Sequence, residues 1–312
     1  MTLDADFAAL FEAEARAAAA GTPPLDAIPP EMIRAGYRAQ RVAQNAKSSP
    51  PEVEARDLRI AGTDGTLAAR LYTPPGALTP GPLLVYFHGG GFVIGDLETH
   101  DGHCRRLAAF SGARVLAVDY RLAPEHPFPA GHDDALAATR WAFDHASEIG
   151  ADLNRIGVGG DSAGGNLAAS VAIDLRDDAA RKLKFQLLLY PGLWPAEETQ
   201  SRRDRDGPVL SKAAIAWFEK CLAALGHPHG HRASPAQAKD LAGLPPAFIA
   251  TAGFDPLEHE GRDYAAALAA AGVPARHVNY PALAHDFYVM GDVSPAVTAA
   301  AKEAGEALKA GL

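Results

Sequence analysis

A serine set between glycines at the end of an apolar run leaves a chain few ways to fold. In Gly157-Val158-Gly159-Gly160-Asp161-Ser162-Ala163-Gly164-Gly165-Asn166, the residues at 155–158 read as a strand and those at 167–173 as a helix. A strand that passes into a helix through a single residue turns so sharply that side chains at its flanks collide, and Gly160 and Gly164 remove them. The turn lifts the Ser162 hydroxyl out of the sheet and aims the first amides of the helix at the atom it attacks. Gly-x-Ser-x-Gly is short enough to arise by chance, so the rest of the chain must supply the other parts of a site.

Strand and helix patterns alternate along most of the chain. Apolar runs at 83–87, 114–118, 155–158, 185–189, 247–251 and 275–280 read as strands. Helical patterns fall at 97–110, 131–147, 163–176, 260–271 and 295–309. Apolar strands separated by helices predict an α/β fold with a mostly parallel sheet covered on both faces. Ahead of them, 54–60 and 67–72 flank Asp64-Gly65, a hairpin signal, which brings the total to about eight strands.

Two segments break this rhythm. Helical patterns at 6–20, with Phe7, Leu10 and Phe11 on one face, and at 31–46, with Met32, Ile33, Tyr37 and Val42, precede the sheet and stand apart from it. Between Tyr190-Pro191 and Gly243 the link runs to roughly fifty residues, far beyond an ordinary connection. It holds a charged loop at 202–208 and a helix at 211–225 carrying Ile215, Trp217, Phe218, Cys221 and Leu222. Inserts of this length are commonly lids or binding elements.

Composition narrows the partners. A formal charge of −9 over 312 residues gives no basic footprint for nucleic acid or an anionic membrane. The acidic N-terminus lacks the basic region of a secretory signal, and no apolar run is long enough to span a bilayer. The two cysteines, Cys104 and Cys221, are too few for a disulfide framework and read as separate buried thiols. These features predict a cytoplasmic protein.

A serine nucleophile needs a base, a group that orients the base, and donors for the developing oxyanion. Successive glycines in His88-Gly89-Gly90-Gly91-Phe92, directly after the strand at 83–87, let consecutive N–H groups point at one acceptor. A phosphate loop would need Gly-Lys-Ser/Thr at its end, where Phe92-Val93-Ile94 stands instead. On this sheet such amides would be joined by the N–H of Ala163, the residue after the serine. The expected chain order is nucleophile, acid, histidine. Asp255 follows the strand at 247–251 and His285 follows that at 275–280, so both belong to the sheet edge that carries Ser162. Among the 12 histidines His259 competes as base, and Glu258 and Glu260 compete as the acid. His227, His229 and His231, or His100 and His103, could bind a metal, but no carboxylate or thiolate lies at a telling spacing.

Four motifs in order carry a resemblance. His88-Gly89-Gly90-Gly91, the stretch from Asp119-Tyr120-Arg121 to Phe128-Pro129-Ala130, Gly160-Asp161-Ser162-Ala163-Gly164-Gly165-Asn166 and Asp255-Pro256-Leu257 resemble the hormone-sensitive-lipase-like α/β-hydrolases, in particular their bacterial carboxylesterases. The resemblance implies Ser162 as nucleophile, Asp255 as acid, His285 as general base, and Gly90, Gly91 and Ala163 as oxyanion donors, with Gly89 shaping the turn. It implies a small-molecule ester of short to medium acyl chain as substrate, and no cofactor or metal. It also implies that residues 1–50 and an insertion at 191–243 form a cap on a catalytic domain spanning 51–312. A homodimer occurs among related esterases, and the sequence leaves the oligomeric state open. One departure stands out. Many members have glycine after the histidine, and this chain has Asp286, which could contact the His285 backbone or raise its pKa. A non-catalytic receptor on the same fold would be expected to lack the base, whereas an amidase would share the whole set. Asp161 has no role that the sequence assigns.

Overall fold

The computed structural model describes residues 2–17, 23–48, 50–222 and 230–312. The Asp64-Gly65 turn closes a hairpin of β1 (Glu54–Gly62) and β2 (Gly65–Thr73), paired antiparallel from Glu54 opposite Thr73 to Gly62 opposite Gly65. The other strands are β3 (Gly81–Phe87), β4 (Arg114–Asp119), β5 (Ala151–Asp161), β6 (Gln186–Leu189), β7 (Ala247–Phe254) and β8 (Ala275–Ala284). They form one sheet in the order β1-β2-β4-β3-β5-β6-β7-β8. β2 runs antiparallel to β4, and every pair from β4 to β8 is parallel. The chain leaves β3 for a neighbour on one side and later returns to pair β5 on its other side. Connections therefore diverge at the carboxyl ends of β3 and β5, where an open α/β sheet leaves a crevice.

The alternation of side chains across the pleat splits the core into two layers. Leu83, Val85 and Phe87 point, with Val158, Leu188 and Ile249, into a layer closed by α4 (Ala130–Asp144), α5 (Ala163–Leu175) and α8 (Glu258–Ala270). Leu84 and Tyr86 point the other way, with Val115, Leu187 and Phe248, into a layer closed by α3 (Asp101–Ser111) and α9 (Pro295–Gly311). Each of these side chains is essentially inaccessible to water, worth about 1.5–3 kcal/mol apiece for an aliphatic or phenyl group.

Several boundaries differ from the sequence reading, each for a local reason. α3 begins at Asp101 rather than near Leu97, because the Asp96 carboxylate takes the N–H groups of Glu98 and Thr99 at 3.0 and 2.8 Å and holds a turn there. The stretch read as a charged loop contains a short helix, α6 (Gln200–Asp204), capped by the Thr199 hydroxyl accepting from the Arg202 N–H. α7 (Lys212–Leu222) fills the described part of the second insert helix, whose residues 223–225 lie outside the described residues. β7 and β8 run on to Phe254 and Ala284, several residues beyond the apolar runs.

The N-terminal helices do not stand apart. In α1 (Ala5–Ala17) Phe7 is fully buried in the α3–α9 layer, and the Asp4 N–H reaches the Ala282 carbonyl at 2.8 Å. Residues 18–20 of the predicted first helix lie outside the described residues. In α2 (Pro30–Lys47) two members of the predicted apolar set, Met32 and Val42, face solvent, while Arg41 and Asn45 are buried. Ile33 and Tyr37 do pack against the core, and polar pairs hold the inward face of α2 beside them. Arg34 donates to the Val93 and Ala123 carbonyls at 2.6 and 2.8 Å and pairs with Glu125.

Candidate active site

Ser162 sits between β5 and α5 at φ 53°, ψ −115°, a conformation that costs a non-glycine residue on the order of 1–3 kcal/mol. Its surroundings over-determine it. Its N–H donates to the Leu189 carbonyl at 2.8 Å, and its carbonyl accepts from Asn166 and Gly192, each at 3.2 Å. A β-carbon on Gly164 would lie 1.9 Å from the Phe87 carbonyl oxygen, and one on Gly160 would lie 2.3 Å from Gly164. The glycine requirement inferred from the sequence is a steric fact of the fold.

The ends of β7 and β8 bring the other two groups together. The register sets Phe254 opposite Ala284, so the next residues on each strand, Asp255 and His285, emerge side by side. His285 Nδ1 lies 2.6 Å from Asp255 Oδ2, and His285 Nε2 lies 2.9 Å from Ser162 Oγ. The other Asp255 oxygen accepts from the Leu257 N–H at 2.8 Å, which fixes the carboxylate plane. Burial alone would drive the His285 pKa down. The Asp255 charge and hydrogen bond, with the Asp286 and Asp161 charges behind them, more than offset it, and the net shift is upward.

The glycine turn after β3 lies beside Ser162. Gly90 and Gly91 adopt φ of 109° and 59°, open to glycine and strained for other residues. Among the described residues their N–H groups have no protein acceptor. Ala163 opens α5, so its N–H is one of those the helix leaves without an internal partner. The motif at 119–130 braces the turn: Tyr120 Oη donates to the His88 carbonyl at 2.8 Å, and the Ala123 N–H donates to the Phe92 carbonyl at 2.8 Å.

Asp161 gains a definite place. Fully buried, it accepts from Tyr86 Oη at 2.6 Å and from the Gly89 N–H at 3.0 Å, with His100 Nε2 at 3.3 Å. A β-carbon on Gly89 would come within 2.2 Å of this carboxylate. The residue before the serine thus ties the glycine turn to the end of β5.

Asp286, whose charge helps raise the His285 pKa as its place in the sequence suggested, has a second set of partners. It sits at φ 70°, where the family's glycine would be at ease, and its carboxylate turns away to α2. There it accepts from Arg41 Nη2 at 2.8 Å and Tyr37 Oη at 3.2 Å, in a pair almost wholly removed from water.

Ser162 opens onto two hollows. One is apolar, lined with Gly91 and Ala163 by Phe92, Trp194, Leu210, Ile215, Phe218 and Leu257, and reaches Arg202 and Glu219. The other holds Tyr37, Arg41, Ile94, Val209, His285 and Met290 and is bounded by Gly90 and Gly91. Phe218 of α7 lies over Gly91, where a β-carbon would touch its ring at 2.3 Å.

The rival residues are occupied elsewhere. His259 Nδ1 accepts from the Ser201 N–H at 3.3 Å, Glu258 pairs with Arg205, and buried Glu260 accepts from the Leu193 and Trp194 N–H groups at 2.7 and 2.9 Å. His132, on the inner face of α4, is only 2% exposed. Its Nε2 meets the Asn166 side-chain oxygen Oδ1 at 3.1 Å, and burial lowers its pKa to about 4. His100 serves Asp161, and His103 packs against Tyr86 with ring centroids 5.3 Å apart. His227 and His229 lie outside the described residues, and His231 pairs with Asp174. Among the described residues no group of three His, Cys, Asp or Glu could hold a metal ion. Both cysteines are free thiols, Cys104 buried and Cys221 only half-buried. No helix among the described residues is long and apolar enough to cross a membrane.

The comparisons agree with this architecture. The alpha/beta hydrolase fold family matches residues 84–289. Esterase LipI of Mycobacterium tuberculosis is 45% identical over 296 residues, covering 91% of this chain and 92% of LipI. Carboxylesterase NlhH of the same organism is 40% identical over 299 residues, covering 92% of this chain and 94% of its own. Ester-hydrolase EH1AB1 from the metagenome of Lake Arreo, solved with a derivative of bipyridine phosphonate, superposes with a TM-score of 0.91 at 40% identity and covers 99% of both chains. Matched by the family across residues 84–289 and by esterases along nearly its whole length, the chain belongs to the α/β-hydrolases, in their hormone-sensitive-lipase-like group of bacterial carboxylesterases.

Proposed function

We propose that this chain hydrolyses short- to medium-chain carboxylic esters through a Ser162–His285–Asp255 triad and an acyl-enzyme. The observation that carries the reading is the unbroken line from Ser162 Oγ to His285 Nε2 at 2.9 Å and from His285 Nδ1 to Asp255 Oδ2 at 2.6 Å. With its proton on Nδ1, His285 accepts the Ser162 proton as Oγ attacks the ester carbonyl, and Asp255 stabilises the imidazolium that forms. The N–H groups of Gly90, Gly91 and Ala163 receive the oxyanion, each such donor being worth about 3–4 kcal/mol. His285 then protonates the departing alcohol, and water repeats the sequence on the acyl group. Every proton and electron pair stays on these residues and the substrate, so the route calls for no cofactor.

The same reading makes α1, α2 and the 191–243 insertion a cap. Tyr37 and Arg41 from α2 line one hollow, and Ile215 and Phe218 from α7 line the other, so both substrate arms would touch these additions. Two unbridged thiols suit the reducing, cytoplasmic setting expected from the sequence.

Diethyl p-nitrophenyl phosphate should release one p-nitrophenolate per chain and leave its phosphoryl group on the Ser162 peptide. Rates on p-nitrophenyl esters should be highest for acetyl to octanoyl and low for palmitoyl. A label on another residue, or a maximum at palmitoyl, would overturn the proposal.

The pH profile follows from the base. Only neutral His285 accepts the serine proton, so kcat/KM should fall as pH drops through a pKa above the ordinary histidine value of about 6.5. Asp286 contributes to that elevation, and Asp286→Asn keeps a residue tolerant of positive φ while removing the charge. The acid limb of the variant should shift to lower pH. A limb that stays put or moves up would show that Asp286 does not act on His285 through its charge.

A further inference from the structure

Arg202, Ile215 and Glu219 form part of the wall of the apolar hollow beside Ser162. The same three residues form the inner side of a separate surface groove, completed by Glu198, Lys212 and Ala216. A partition of side chains thus divides the substrate hollow from this groove. Arg202 stands on α6 and Glu219 on α7, and the two close the gap as an ion pair. Arg202 is held from behind as well, 3.4 Å from the buried Glu260, whose carboxylate is anchored by the Leu193 and Trp194 N–H groups. The Glu219 side chain is 48% exposed, against 16% for Arg202, so the outer partner is the looser one.

Proton delivery decides which arm of an ester meets this wall. His285 must hand its proton to the leaving alcohol oxygen, so the alcohol occupies the hollow that His285 lines. The apolar hollow, which His285 does not line, is left for the acyl chain. An acyl group long enough to reach this wall would press its methyl terminus against two charged heads and strip their water, or force them apart. The geometry points to the Arg202–Glu219 pair, with Ile215, as the stop that sets the longest acyl chain accepted. This inference rests on the ester-hydrolase reading above and adds the device that limits its substrates.

The test measures kcat/KM for p-nitrophenyl decanoate relative to butyrate, with competent enzyme counted by organophosphate titration. Glu219→Ala opens the partition into the surface groove and should raise that ratio at least tenfold, the scale on which one or two methylenes discriminate in an apolar pocket. Glu219→Gln keeps the length and an acceptor for Arg202 but removes the charge, and should raise the ratio by less than Glu219→Ala does. Ile215→Phe thickens the wall and should shift the preference toward shorter acyl groups, giving a change of opposite sign from an independent variant. A parallel series of butyrates with lengthening alcohols should not move in any variant. An unshifted acyl profile in Glu219→Ala, or a shift in the alcohol series instead, would overturn the inference while leaving the esterase reading intact. Failure of the unmodified protein to hydrolyse any ester or to titrate with organophosphate would take down both.

Discussion

Ser162→Ala should lower kcat for p-nitrophenyl butyrate by about 10⁶-fold while the far-UV circular dichroism spectrum stays unchanged. Among the described residues the side chain's one hydrogen bond is to His285 Nε2, whereas the turn is held by backbone bonds to Leu189, Asn166 and Gly192 that alanine keeps. Alanine also tolerates φ 53° about as poorly as serine does, so little stability should change hands. His285→Ala should cost a similar factor. Asp255→Asn should cost about 10⁴-fold, because the amide can donate to Nδ1 and favour the tautomer that points its proton at Ser162. These losses should not add: a Ser162→Ala/His285→Ala double variant should be about as slow as either single one, since each removes the same proton transfer. A Ser162→Ala enzyme within tenfold of the unmodified rate would mean that another residue accepts the acyl group.

Why these three residues could be read from the sequence, and others could not, has a physical basis. Gly160 and Gly164 are forced by steric clashes with Phe87 and with each other, so the requirement shows as a residue type at a fixed spacing. Asp255 and His285 sit at the ends of adjacent parallel strands, so chain order and strand ends locate them without coordinates. Pairings across long sequence distances leave no such trace. Arg41 meets Asp286 from 245 residues away, and its burial puts a charge on a helix face that looked wholly apolar. The same limit hid the α2 partners of Asp286, although its influence on the His285 pKa was legible from its place beside the histidine. The insert helix α6 was concealed because its cap is one threonine and its body is charged, with Arg202 stabilised by Glu219 and Glu260 rather than by apolar periodicity. Asp161 was visible as part of the motif, but its partners Tyr86, Gly89 and His100 come from other segments.

Asp161→Ala is expected to damage both stability and turnover. The substitution strands the Tyr86 hydroxyl, the Gly89 N–H and the His100 imidazole in a region closed to water, and removing one partner of a buried ion pair costs about 3–5 kcal/mol. It also frees the turn that carries Gly90 and Gly91. Loss of a well-placed oxyanion donor lowers kcat by about 10²–10³-fold, and an interaction made mainly in the transition state should leave KM largely unchanged. Asp161→Asn separates positioning from charge, since its oxygen can still accept from Gly89 and Tyr86, and it should recover most of the kcat. The charge itself is read by pH. Burial opposes ionisation of both Asp161 and His100, yet their mutual attraction outweighs it, holding the carboxyl below its usual range and the imidazole above its own. The Asp161 contribution is complete above its unfolded pKa of about 3.9 and is lost as pH falls through the folded value. The His100 contribution is complete below its unfolded pKa of about 6.5 and is lost as pH rises through the folded value. The stability advantage of the unmodified protein over Asp161→Asn should therefore peak between about pH 4 and pH 6.5, measured as the difference in Tm. A difference that stayed flat from well below pH 4 to well above pH 6.5 would remove the ion pair from the account. An Asp161→Ala enzyme with undiminished kcat would remove the carboxylate's hold on the glycine turn.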